Sequence, residues 1–167
     1  MKSAKSKSLV AALLLILSNI PSVSSVAGPR DRIEERINAL IAQMTLEEKL
    51  GQLQILDGEA DGKYRPEHLE MIRKGLLGST LNVRGAKRTN ELQHIAVEQS
   101  RLKIPILFGF DVIHGYRTIF PISLGEAASW DPAAVERGAS VAAAESAAAG
   151  VRWTFAPMLD VARDARW

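Results

Sequence analysis

Ile104-Pro-Ile-Leu-Phe-Gly-Phe-Asp-Val-Ile-His-Gly-Tyr-Arg117 begins as an unbroken apolar run and ends in charge. The run from Ile104 to Phe110 shows no polar alternation, so it reads as a strand covered on both faces, the type found inside parallel sheets. Asp111, His114 and Arg117 follow at its carboxyl end, with Gly115 as a turn residue. Loops at the carboxyl ends of parallel strands can vary without disturbing the core, and ligands bind there in α/β folds. Asp111 is therefore a candidate functional residue on position alone. The structural alternative is an Asp that merely caps the turn after the strand.

Outward from this stretch, helical and strand patterns alternate. Ile33, Ile37, Leu40, Ile41 and Met44 form one face of an amphipathic helix over 31–44. Thr45-Leu-Glu-Glu48 is a capping box that starts a second helix, expected to bury Leu46, Leu50 and Leu53. Residues 57–66 read as a polar connector. Its Asp57-Gly-Glu59-Ala-Asp61-Gly62 resembles the opening of a calcium loop, but His68 stands where that loop needs Glu, and Pro66 breaks the frame. Pro66 suits the first turn of a helix ending at Gly75, and Leu76 to Val83 reads as a short strand. Thr89 is the expected cap of a helix through about Ser100 that buries Leu92, Ile95 and Ala96. Beyond Arg117, residues 118–130 read as loop. Asp131-Pro132 then starts a helix that stops at Gly150, and 152–159 forms a third strand. Alternating strands and helices imply right-handed crossovers and a parallel sheet, so the fold class is α/β.

The first 27 residues stand apart. Lys2, Lys5 and Lys7 precede an apolar core over 9–20, and Ser25-Val26-Ala27 offers small residues for cleavage. This predicts a secretory signal peptide over 1–27, and the short apolar core is less than the ~20 residues a membrane span needs. The whole chain has 21 basic and 19 acidic residues. Setting the three signal lysines aside leaves 18 against 19, so no basic surface suggests nucleic acid. With no cysteine there are no disulfides or thiolate metal sites. No metal and no cofactor are expected.

Four blocks carry a family resemblance: Met44-Thr-Leu-Glu-Glu-Lys-Leu-Gly-Gln52, Arg101 through Gly115, Phe120-Pro-Ile-Ser-Leu-Gly125, and Ala156-Pro-Met-Leu-Asp-Val-Ala-Arg-Asp-Ala-Arg-Trp167. In order and spacing they resemble glycoside hydrolase family 3, in particular its secreted or periplasmic β-glucosidases. The resemblance implies a partial (β/α)8 TIM-type barrel over 28–167, roughly its first three β/α units with a helical amino-terminal lead-in. It also implies retaining hydrolysis of terminal β-D-glucosyl residues, with a β-glucoside or oligosaccharide as the bound partner and a periplasmic or secreted location. In that mechanism one carboxylate attacks the anomeric carbon and another protonates the leaving oxygen. The family places its nucleophilic Asp on a later strand and its acid/base Glu in a second domain. Neither motif occurs here, so no catalytic residue is assigned, and the 167 residues alone are expected to be inactive. The family's usual Arg-Asp-Pro-Arg-Trp-Gly-Arg appears as Arg163-Asp-Ala165-Arg-Trp167, with alanine for proline.

By the same resemblance Asp111 matches the acid that grips sugar hydroxyls, and Arg117 a position where some members place a sugar-contacting arginine. A solvated or carboxylate-paired arginine is the alternative for Arg117. Tyr116 is a weaker candidate for the pocket mouth. His114 lacks the second ligand a metal site demands and is expected to make structural hydrogen bonds. Asp160 and Asp164 are expected to anchor the loop after the third strand, and Trp130 and Trp153 to lie in the core. Other readings lie within and beyond the family. A β-xylosidase is compatible with the same blocks. A β-N-acetylhexosaminidase would carry Asp-x-Glu-Gly-Gly-Arg where this chain has Asp111 to Arg117. An exported, non-catalytic sugar-binding module would use Asp111 and Arg117 for recognition only.

Overall fold

A computed structural model describes residues 28–158, 161, 163 and 164. The expected signal peptide, Asp160 and Ala165 to Trp167 lie outside the described residues. The chain divides into two units, 1–39 and 40–167. Helix α1 (Pro29–Gln43) begins in the first, where Ile33 and Ile37 are exposed.

The second unit is a parallel sheet with helical connections. Its strands are β1 (Ile55–Asp57), β2 (Ser79–Leu81), β3 (Leu107–Phe110) and β4 (Trp153–Thr154). Their spatial order is β1-β2-β3-β4, every neighbouring pair parallel. Unbroken chain order is decisive. With right-handed crossovers it puts the connections on one face, as in a β/α barrel, whereas a doubly wound sheet reverses direction midway. The unit is thus an arc of a barrel, with one strand more than the sequence reading counted. That strand, β1, is three residues long and follows helix α2 (Leu46–Gln52) almost directly, too short to show a period.

Alternation along the strands separates two layers. Leu56, Thr80 and Phe108 turn toward the helices, and Phe108 lies in a core with Ile72, Leu77, Val83, Leu92, Ile95, Ala96 and Ile106. Ile55, Asp57, Leu107, Gly109 and Trp153 fall on the opposite, inner face by register. The Trp153 and Phe155 rings meet there at a 41° tilt, their centroids 4.7 Å apart, and lie over Gly109. Trp153 is therefore at the rim of the inner face, 37% exposed, and not in the helix-side core.

Local chemistry explains most element boundaries. Thr45 and Glu48 form the reciprocal capping box of α2. Helix α3 (Pro66–Arg73) has proline at its start and Gly75 at φ +73° beyond its end. His68 is fully buried within it and accepts the Arg65 N–H at Nδ1, and burial pushes its pKa down. Helix α6 (Pro132–Ala148) is capped by Asp131 Oδ1, which accepts the Ala134 N–H at 2.9 Å, and Gly150 at φ +93° closes it.

Other boundaries differ from the sequence reading. Helix α4 (Ala86–His94) starts three residues before Thr89, because Gly85 at φ +96° turns the chain out of β2. Thr89 is buried inside the helix and bonds back to the carbonyls of Gly85 and Ala86, so it is no cap. A π-helical turn, Ile95–Gln99, finishes this helix. Strand β3 begins at Leu107, since Pro105 has no donor and Ile106 is already engaged. Gln93 donates Nε2 to the Ile106 carbonyl (3.0 Å) and accepts the Ile106 N–H at Oε1 (2.7 Å). Residues 118–130 contain a short helix, α5 (Ser123–Ala128). Trp130, at φ +53° and 91% exposed, lies on the surface and not in the core.

The face of α2 is the largest correction. Leu46, Leu50 and Leu53 are exposed, and the buried residues are Glu48 and Gly51. Gly51 abuts the backbone of Gly75 and Leu76, leaving no room for a side chain. Glu48 is paired with Arg101, whose Nε donates to Oε1 at 3.0 Å and whose Nη2 donates to Oε2. Arg101 also donates to the Gln43 carbonyl. This pair ties α2 to the approach to β3, and the Arg101 guanidinium holds the Glu48 carboxyl below the usual carboxylate range. A depressed folded pKa contributes stability above the unfolded pKa, and that contribution is lost as pH falls through the folded one. Glu48→Gln should lower the melting temperature by several degrees at pH 7, and the difference from wild type should shrink on titration into the acid range. Equal melting at pH 7 would show that the pair does not support the fold.

Candidate active site

Parallel strands deliver their carboxyl ends to one rim, where Asp57, Asn82, Asp111 and Phe155 stand at or just beyond β1, β2, β3 and β4. Asp111 is exposed, and its carboxylate makes no hydrogen bond or ion pair among the described residues. The turn-capping alternative is therefore not what the structure builds. Val112 beside it is buried, which fixes the backbone at the strand end.

The loop that follows is tightly folded. The Phe120 N–H donates to the His114 carbonyl at 2.8 Å, and Gly115 bridges Ile119 in antiparallel fashion. Gly115 sits at φ +114°, and a Cβ there would strike the Thr118 carbonyl. The Phe120 ring rests over Gly138 of α6, whose buried positions Gly138, Ala142 and Ser146 recur every four residues. The alanine-rich helix thus approaches closely through its small side chains.

Glu145 of α6 secures the loop from the other side. Its carboxylate accepts the N–H groups of Arg117 and Thr118, each at 2.8 Å, and the Thr118 hydroxyl at 2.7 Å. Those bonds, led by the Thr118 N–H, hold its pKa below the usual carboxylate range. Arg117 is exposed, and its guanidinium forms no ion pair among the described residues. The sequence reading did not single out Glu145. Its role needed knowledge that 117–118 returns to α6, and no spacing in the chain signals that.

A second group of contacts braces the base of the same loop. Asn82, at φ +63°, donates Nδ2 to Asp57 Oδ1 at 2.8 Å. Arg84 donates to the carbonyls of Asn82 and Ala60 and lies 4.9 Å from the centroid of the Phe110 ring. Tyr116 meets Phe110 edge-on at 5.6 Å, and burial pushes its phenol pKa up. Arg84, Phe110, Tyr116, Arg117 and Glu145 line a recess of about 520 Å³. Tyr116 is therefore at the wall of that recess, whose lining does not include Asp111. His114 does not make the side-chain bond expected of it: its buried Nδ1 has no hydrogen-bond partner among the described residues, and its backbone carbonyl does the bonding. Asp164 is exposed. Among the described residues no cluster of His, Cys, Asp and Glu is arranged to hold a metal ion.

A family model described as the glycosyl hydrolase family 3 N-terminal domain matches residues 45–167. A periplasmic β-glucosidase of Salmonella typhimurium is 41% identical over 131 residues, or 78% of this chain and 17% of that protein. A putative β-xylosidase of Formosa agariphila is 33% identical over 153 residues, or 81% of this chain and 20% of that protein. The solved structure of a β-glucosidase from Listeria innocua in complex with glucose superposes with a TM-score of 0.66 at 36% identity, covering 80% of this chain and 20% of that one. The chain thus spans about a fifth of the length of these relatives.

The Glu145 clamp has a measurable signature. Glu145→Ala should raise amide hydrogen exchange at Arg117 and Thr118 by on the order of tenfold, the worth of one backbone hydrogen bond. In wild type the same protection should be present at neutral pH and fade as acid protonates Glu145. Unchanged exchange in the variant would mean that the loop holds itself.

Proposed function

The chain belongs to glycosyl hydrolase family 3, and from that premise we propose that it forms the first part of the barrel of an exported β-glucosidase. Its role there is to supply one wall of the sugar pocket. The observation that carries this reading is the placement of Asp111: an exposed carboxylate without a partner among the described residues, at the carboxyl end of a central strand, beside a loop pinned by Glu145. An ionised carboxylate accepts two hydroxyl hydrogen bonds at once, and charge-assisted bonds are about twice as strong as neutral ones. Arg117, held at its backbone and with its guanidinium unpaired among the described residues, suits a second contact with the sugar.

The chemistry of the proposed reaction is a double displacement with retention. One carboxylate attacks the anomeric carbon, and a carboxylic acid protonates the departing oxygen and then activates water. We assign neither to this chain: Asp111 and Arg117 bind and orient, and the reacting pair belongs to the length that the relatives have beyond it. The 1–27 pattern proposes export, in keeping with the relative named as periplasmic. A second reading, β-xylosidase, is favoured by the Formosa relative.

Two measurements test the proposal. The complete protein should release nitrophenol from 4-nitrophenyl β-D-glucoside faster than from the xyloside, and the 167 residues alone should release none above blank. Turnover by the 167 residues would overturn the assignment of catalysis elsewhere, and preference for the xyloside would favour the second reading. In the complete protein Asp111→Asn should lower kcat/KM by roughly 10- to 150-fold, from ~1.5–3 kcal/mol for a hydrogen bond to a charged group. An unchanged value would remove Asp111 from the site.

A further inference from the structure

We propose that Asp57, held by Asn82 at the end of β1, is a second hydroxyl-binding carboxylate that faces the same sugar as Asp111. The inference rests on the reading of Asp111 as a sugar contact. Sequence patterning placed Asp57 in a connector, yet the structure puts it in a strand and on the inner face. Leu56 packs against the helix-side core, so its neighbours Ile55 and Asp57 turn the other way. Register carries that face across the sheet: Asp57 pairs with Leu81, and Leu81 with Gly109. Gly109 lies beneath the rings of Trp153 and Phe155, which identifies its side as the inner one. Asp111 is two residues beyond Gly109 and continues the alternation, since Phe108 and Val112 are both buried.

The separation suits one ring. Two strand spacings of about 4.8 Å and two residues of about 3.3 Å along the strand put the two Cα atoms roughly 12 Å apart. Both side chains rise from the same face, so their carboxylates keep roughly that separation, and a hydrogen bond of about 2.7 Å at each side leaves roughly 6 Å, about the width of a pyranose. Asp57 is exposed and, among the described residues, makes a single hydrogen bond, to Asn82 Nδ2 at 2.8 Å, through Oδ1. Oδ2 is left to accept from a ligand. Asn82 in turn is fixed by its N–H to the Gly109 carbonyl and by Arg84 on its own carbonyl, so the carboxylate is oriented before any sugar arrives. Asp57 and Asp111 would hold opposite edges of the ring, which makes Asp57 a specificity-determining residue for the hydroxyl it meets.

The test is D-glucose binding by the complete protein, measured by calorimetry for wild type, Asp57→Asn, Asp57→Ala and Asp111→Asn. Melting curves accompany each titration. Asp57→Asn keeps the shape and can still accept from Asn82, so its melting temperature should match wild type while its affinity falls about tenfold. Asp57→Ala should be at least as weak. Wild-type affinity in Asp57→Asn, with Asp111→Asn weakened, overturns the inference and leaves the proposed function standing. Weak binding in Asp57→Ala restored in Asp57→Asn also overturns it, because the charge would then be unused. Wild-type affinity in Asp111→Asn marks failure of the underlying reading instead.

Discussion

The direction of the strands governs everything at the rim. Because all four run parallel and neighbour one another in chain order, each contributes its carboxyl end, and the loop after it, to a single edge. Asp57, Asn82 and Asp111 are distant in sequence and share that edge for no other reason. A single antiparallel strand would send one of them to the opposite end. The register then decides which face each side chain takes, since a slip of one residue inverts the alternation.

The helix side of the sheet depends on an ion pair as well as on apolar packing. Glu48 and Arg101 join segments 53 residues apart in sequence, and they do so where α2 presents its smallest and most polar face inward. A buried carboxylate without its partner is costly, so the arrangement specifies how α2 docks. The exposed leucines of α2 follow from the same choice: with Glu48 and Gly51 facing the approach to β2 and β3, the leucine stripe must point outward.

What could be read in the chain was local chemistry. Thr45 with Glu48, Pro66, Gly75, Asp131-Pro132 and Gly150 each act within a few residues, and each marks the boundary its chemistry dictates. The α/β class and the parallel sheet were legible from alternating periods, and so was the position of Asp111 just beyond the end of a strand. Much of what failed needed contacts outside the local pattern. Leu46, Leu50 and Leu53 look like a core face until Arg101 claims Glu48. Thr89 looks like a cap until Gly85 takes the turn. Ile104 to Ile106 look like strand until Gln93 occupies the backbone of Ile106. Strand β1 was missed because three residues show no period, and the Glu145 clamp because it depends on how a distant loop folds back.

The Gln93 carboxamide answers a specific chemical demand. It meets a donor and an acceptor on the same residue, Ile106, and only a group with both an N–H and a C=O can answer both. Slow hydrolytic loss of that side-chain nitrogen would leave two oxygens, one of them facing the Ile106 carbonyl. Attraction would become repulsion at the entrance to β3, the strand that carries Asp111. A change of one atom in a helix would thus loosen the start of that strand.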